Sequence, residues 1–179
     1  IYSKFNHNDV APLVNLGEEI YLLELFYGPT FAFKDYAMQF LAADFERVIK
    51  LTNKKIVILG ATSGDTGSAA LNAFSNKSGI DVFILFPEGR VSEIQEAQMT
   101  SVISDGAFPL KINGNFDDCQ EIVKKIFQDL GFKKRLNLSA INSINWARLV
   151  PQIVYYFYSA FKLGSPEKKV AFSVPTGNF

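Results

Sequence analysis

The sequence predicts an α/β fold with a largely parallel sheet. Four compact apolar runs, Lys55–Leu59, Asp81–Phe86, Phe108–Ile112 and Val170–Val174, are bounded by glycine, proline or charged residues and read as buried strands. Helical patterns with short links lie between them, which favours strand–helix alternation and hence layers. Hydrophobic residues make up 48% and charged residues 20% of the 179, enough for an ordinary packed core.

Taken in order, the opening stretch from Ile1 to about Ile20 is irregular. A first helix is expected over Asp35–Lys50, with Lys34 at its mouth. Ala37, Met38, Leu41, Phe45 and Val48 follow Lys34 at i+3, i+4, i+7, i+11 and i+14, so the amine shares an apolar face. After the strand Lys55–Leu59 comes a small, alanine-rich helix, Thr66–Ser75. The strand Asp81–Phe86 leads to a helix over Ser92–Ser104, opened by a capping box of Ser92 and Gln95. Phe108–Ile112 is followed by a helix over Phe116–Leu130. Its inner face carries Cys119, Ile122, Val123, Ile126, Phe127 and Leu130, and Gly131 is its stop. The last helix runs from about Asn145 to Leu163, kinked at Pro151 and stopped by Gly164, before the strand Val170–Val174.

Bulk properties exclude several function classes. Eighteen basic and eighteen acidic residues cancel, and the pairs Lys54-Lys55, Lys124-Lys125 and Lys168-Lys169 read as solvated element ends, not a nucleic-acid face. No apolar run approaches membrane-spanning length, and Ile1-Tyr2-Ser3-Lys4 is not a signal peptide. A single cysteine forms no internal disulfide and suits a reducing cytoplasm. One cysteine with one histidine, His7, makes neither an ordinary zinc site nor a promising Ser–His–Asp set. Any catalysis then leans on lysine, carboxylates or a cofactor. The chain starts without methionine and stops at Phe179 inside a glycine-bearing loop, so it reads as an internal piece of a longer protein.

Four segments carry candidate chemistry. Lys34, in Gly28-Pro29-Thr30-Phe31-Ala32-Phe33-Lys34-Asp35, either snorkels to solvent beside Asp35 or is buried with a depressed pKa. A buried neutral amine forms a Schiff base with an aldehyde. Gly60-Ala61-Thr62-Ser63-Gly64-Asp65-Thr66-Gly67 joins a strand to a helix start through glycines and hydroxyls, a geometry that receives anions. It lacks both the phosphate-loop ending and the dinucleotide spacing. Asp65 either caps the helix or meets a cofactor hydroxyl. Asn142, Ser143, Asn145 and Arg148 either converge on a phosphate or carboxylate or form a capped helix with a surface arginine. Val174-Pro175-Thr176-Gly177-Asn178-Phe179 offers a nest of backbone donors.

Together these segments resemble the threonine synthases, pyridoxal-phosphate enzymes of the tryptophan-synthase-β-like fold group. The motifs are Leu23-Glu24-Leu25-Phe26-Tyr27-Gly28-Pro29-Thr30 with Phe33-Lys34-Asp35, Ala61 to Gly67, Asn142-Ser143-Ile144-Asn145 with Arg148, and Val174 to Phe179, in the family's order and across essentially the whole chain. The resemblance implies a three-layer, parallel-sheet small domain, residues 35–164, inserted into a partial large domain formed by residues 1–34 and 165–179. It implies that Lys34 binds pyridoxal 5'-phosphate covalently, that Gly177, Asn178 and Phe179 receive the cofactor phosphate, and that Asp65 contacts the cofactor. Thr62, Ser63, Gly64, Thr66, Asn142, Ser143, Asn145 and Arg148 would hold substrate. The activity implied is conversion of O-phospho-L-homoserine and water to L-threonine and phosphate, in the cytoplasm, with no metal, nucleic acid or membrane partner. The segment alone is expected to be inactive, because further parts of the site lie outside it. A threonine or serine dehydratase, a cysteine synthase, or a non-catalytic binding relative are the alternatives. The first three usually carry asparagine where Asp65 stands.

Overall fold

The computed structural model describes residues 1–102, 104–141 and 145–175. A small antiparallel hairpin comes first, β1 (Leu13–Gly17) and β2 (Ile20–Leu23). The layered body follows as α1 (Lys34–Thr52), β3 (Ile56–Ala61), α2 (Asp65–Phe74), β4 (Ile80–Pro87), α3 (Glu93–Thr100), β5 (Ala107–Ile112), α4 (Phe116–Gln128), α5 (Leu130–Leu136), β6 (Leu138–Ala140) and α6 (Trp146–Lys162). The last four strands form one parallel sheet in the order β5-β4-β3-β6.

Side-chain alternation sorts the core into two layers of contact. Ile56 and Ile58 of β3 and Ile80, Val82, Ile84 and Phe86 of β4 face one way. They pack against Met38 and Leu41 of α1, Ala69 to Phe74 of α2, and Met99 of α3. Leu59 and Leu85 point to the opposite face and meet Cys119 of α4, with Val123, Ile126 and Phe127 around it. A sheet buried on both faces explains why its strands read as continuous apolar runs. Each fully buried large side chain, such as Phe74 or Phe86, contributes about 1.5–3 kcal/mol. The predicted α/β layering is therefore present.

Strand order positions the site. From β3 the chain moves outward through β4 to β5, then returns to the other side of β3 as β6. The loops leaving β3 and β6 thus diverge at a topological switch point, where open parallel sheets form their ligand crevice. At α6, Asn145 accepts from Ala147 N–H at 3.0 Å, while its amide donates to the Ala140 carbonyl at 3.3 Å, fixing the helix start to the end of β6. Pro151 sits inside this helix and removes one i→i−4 bond. Gly164 ends it with φ +97°, and the Ser165 N–H to Ala160 and Gly164 N–H to Phe161 bonds form a Schellman stop.

Several expected elements differ. Val170–Val174 lacks strand pairing, because no other strand runs beside it among the described residues, and most of it is exposed. The expected helix Phe116–Leu130 divides at Asp129, whose side chain accepts from Phe132 N–H and starts α5. Leu130 is consequently 74% exposed and off the inner face of Cys119. The helix expected to reach Ser104 ends at Thr100. The opening stretch is not wholly irregular, since it carries β1 and the start of β2. Val48 turns outward, whereas Ala37, Met38 and Leu41 are fully buried. All six lysines read as solvated element ends are exposed.

Candidate active site

At the switch point lies a pocket of about 310 Å³ lined by residues from α1, the β3–α2 loop, α3, α4 and α6. Lys34 opens α1 and is only 5% exposed, so the inward position is the one adopted. Its Nζ lies 4.2 Å from the centre of the Phe33 ring, a cation–π contact that offsets part of the lost hydration. Burial, and secondarily the neighbouring Arg148 guanidinium, lower its pKa to about 8, against an opposing pull from Asp65. Behind it, Asp35 is fully buried and accepts from the Thr30 N–H at 2.8 Å and the Thr30 hydroxyl at 2.7 Å. Burial raises the pKa of Asp35, and the two Thr30 bonds resist that rise.

The β3–α2 loop is held from within. The Thr62 hydroxyl donates to the Gly64 carbonyl at 3.0 Å and accepts from the N–H groups of Gly64 and Gly67 at 3.1 and 3.0 Å. Thr62 therefore shapes the loop with its hydroxyl and lines the pocket with the remainder of its side chain. The N–H groups of Ser63, Asp65 and Thr66 carry no hydrogen bond among the described residues and leave donors at the helix mouth. Asp65 is the first residue of α2, not its cap. That position belongs to Gly64, and Asp65 Oδ1 instead accepts from Gln95 Nε2 at 2.6 Å.

Arg148 is 4% exposed, so it is not a surface arginine. One terminal nitrogen, Nη1, donates to the Ile141 carbonyl at 3.2 Å, while Nε has no acceptor among the described residues. Burial pushes its ionisation below the usual guanidinium range. A buried guanidinium with an unfilled donor at a pocket wall suits an anion, since burying such a charge unpaired costs on the order of several kcal/mol. The polar donors, the low-pKa amine and the orphaned Arg148 Nε together fit a phosphorylated aldehyde cofactor and an anionic substrate.

Of the residues expected in the site, Lys34, Thr62, Ser63, Gly64, Asp65, Thr66 and Arg148 come together on this pocket. Asn145 is not on its wall; both ends of its amide fasten α6 to β6 and so orient Arg148. Asn142, Ser143, Gly177, Asn178 and Phe179 lie outside the described residues. The pocket also includes Phe33, quoted in the Lys34 motif but given no site role, and Gln95, Phe116, Gln120 and Ile141, to which the sequence reading gave none either. Phe116 and Gln120 were accessible to it in principle, because the first turn of a helix after a parallel strand faces the same crevice.

Comparison with known proteins decides the family. The family described as pyridoxal-phosphate dependent enzyme matches residues 9–179. The chain belongs to that family. It is 53% identical over 178 residues to the threonine synthase of Pseudomonas aeruginosa, covering 99% of this chain and 38% of that protein. The Saccharomyces cerevisiae threonine synthase is 49% identical over 192 residues, with 99% and 37% covered. A pyridoxal-phosphate-bound threonine synthase crystal structure from Brucella melitensis superposes with a TM-score of 0.92 at 53% identity, covering 99% of this chain and 38% of that one. The chain thus spans less than two-fifths of the length of these relatives. Among the described residues no helix is long and apolar enough to cross a membrane.

Proposed function

We propose that the protein carrying this chain converts O-phospho-L-homoserine and water to L-threonine and inorganic phosphate with pyridoxal 5'-phosphate. The observation that carries this reading is a buried low-pKa amine, Lys34, sharing one pocket with a buried arginine that has an unfilled donor. When bound, the cofactor supplies an electron sink for charge developing on substrate carbon. Lys34 Nζ would hold its aldehyde end, Asp65 its ring hydroxyl, and the 177–179 loop its phosphate. The N–H groups of Ser63, Asp65 and Thr66 would cradle the substrate carboxylate, Thr62 and Gly64 would give the loop its shape against the substrate, and Asn142 and Ser143 would add substrate contacts.

The residues' own chemistry accounts for the rest. A neutral Lys34 amine takes a proton from the substrate α carbon and returns protons further along the chain, and its pKa near 8 makes both directions accessible near neutral pH. Arg148 meets the departing phosphate as the γ carbon–oxygen bond breaks and its charge grows, an effect strengthened by the dry surroundings. Phe33, Phe116 and Ile141 limit water at the reacting carbons, so water adds at the β carbon only when admitted. The γ carbon keeps its hydrogens, gains one, and becomes the threonine methyl.

The same reading divides the chain into a small domain, 35–164, and large-domain pieces, 1–34 and 165–179. It is supported by the four-stranded sheet and the six helices of the described residues lying between Lys34 and Lys162, while the β1–β2 hairpin and residues 168–175 line a second cavity against Tyr155, Tyr156, Ser159 and Leu163. A cytoplasmic location accords with one buried, unpaired Cys119. The test is incubation of the full-length protein with phosphohomoserine, free threonine or O-acetylserine in turn. Threonine and phosphate in equal amounts from the first alone is the expected result. Deamination of threonine or no reaction with phosphohomoserine would refute the assignment.

A further inference from the structure

Gln95 ties the mouth of α3 to the pocket with both ends of its amide. Its Oε1 accepts from the Ser92 N–H at 3.4 Å as half of the α3 capping box, and its Nε2 donates to Asp65 Oδ1 at 2.6 Å. Gly64 makes the crossing possible, since a Cβ there would stand 2.4 Å from Gln95 Nε2. One turn on, Gln98 Nε2 donates to the Thr30 carbonyl at 3.1 Å, and Thr30 in turn holds Asp35 beside Lys34. Through these two amides α3 grips both loops of the pocket, although it lies 30 and 68 residues away from them in sequence. Among the described residues, the Gln95 bond to Oδ1 is the one hydrogen bond made by the Asp65 carboxylate.

We propose that Gln95 is a positioning residue: it holds Asp65 by one carboxylate oxygen and so leaves the other free for the cofactor beside Lys34. The proposal deepens, and rests on, the function proposed above. A carboxylate in that pocket has reason to swing. Lys34 on α1 attracts it, and Asp35, which feels its charge, repels it. Arg148 on α6 is a second attractor, and α3 adds Glu93 and Glu96, the latter paired with Lys111 of β5. A neutral amide donor fixes the orientation without adding charge to this set.

The test uses the full-length protein with Gln95→Leu, Gln95→Glu and Ser92→Ala. Gln95→Leu is expected to lower kcat roughly 10- to 100-fold at a nearly constant KM, the range for a misplaced reacting group. Gln95→Glu can donate to Asp65 only while protonated, so its rate should recover toward wild type as pH falls and be lost as pH rises. Ser92→Ala removes the cap but not the Asp65 bond, and should lower the thermal midpoint while keeping kcat. A readout without cofactor is the pH dependence of Lys34 acylation, scored by peptide mapping; its midpoint should move upward in Gln95→Glu, where a second carboxylate favours the ammonium. Wild-type kcat in Gln95→Leu, or equal rate losses in Gln95→Leu and Ser92→Ala, would overturn the proposal. A wild type inert toward phosphohomoserine whose Lys34 midpoint still moves in Gln95→Glu would uphold the coupling and reject only the assigned reaction.

Discussion

Lys34 carries an energetic burden that the apolar side chains around it do not repay. An ordinary lysine holds its proton to pH 10.5, whereas this one releases it at about 8 because burial disfavours the charge. In the cofactor-free protein the unfolded chain therefore binds the extra proton between those two values, and stability rises with pH across that window. Lys34→Met should abolish turnover and stabilise the protein at pH 7 by roughly 3 kcal/mol, an advantage that closes as pH approaches 10. Urea denaturation at pH 7 and pH 10 checks the sign. Arg148→Met should spare the fold, because the removed group is a buried cation with an unfilled donor. It should lower kcat/KM for a phosphorylated substrate by about 10²-fold or more, with steady-state kinetics as the check. Gly28→Ala meets a different obstacle, since its Cβ would lie 2.4 Å from Asp35 Oδ2 and 2.5 Å from Asp35 Cβ. Asp35 is fixed by Thr30 and cannot yield, so a loss of about 1–3 kcal/mol in unfolding free energy is expected.

Helix starts are the elements that aim side chains into the pocket. Asn115 caps α4 by accepting from the N–H groups of Asp117 and Asp118, and Asp118 returns a bond to the Asn115 N–H. Asn115→Ala should cost about 1 kcal/mol in thermal or chemical unfolding. It should also loosen Phe116 and Gln120 at the pocket wall. Caps of this kind are local chemistry, which is why the Ser92–Gln95 box was readable before any coordinates. The break between α4 and α5 was not, because apolar periodicity continues through Leu130 and only the Asp129 side chain interrupts it. β6 escaped notice for another reason: three residues show no period, and its identity comes from pairing with β3. Val170–Val174 failed in the converse way, having strand composition but no ladder partner among the described residues.

At the scale of the molecule, layering was legible because both faces of the sheet are buried, but the strand order was not. Without β6 there is no return across β3, and hence no switch point to mark where the loops converge. Lys34, Asp65 and Arg148 were singled out from local pattern, the family resemblance chose between the alternatives each left open, and topology brings them together. Gln95 was visible only as a cap, since its bond to Asp65 crosses between elements. The outer side of α6 exposes Val150, Ile153, Val154, Phe157 and Phe161 along a helical stripe. With relatives more than twice as long, these 179 residues expressed alone are expected to release no phosphate from phosphohomoserine, whereas the full-length protein does.

The most direct measurement is borohydride reduction of the full-length protein loaded with pyridoxal phosphate, followed by peptide mapping. The cofactor should be found on Lys34 alone. A label on any other lysine, or no label while the cofactor is bound, would contradict the role of the buried amine.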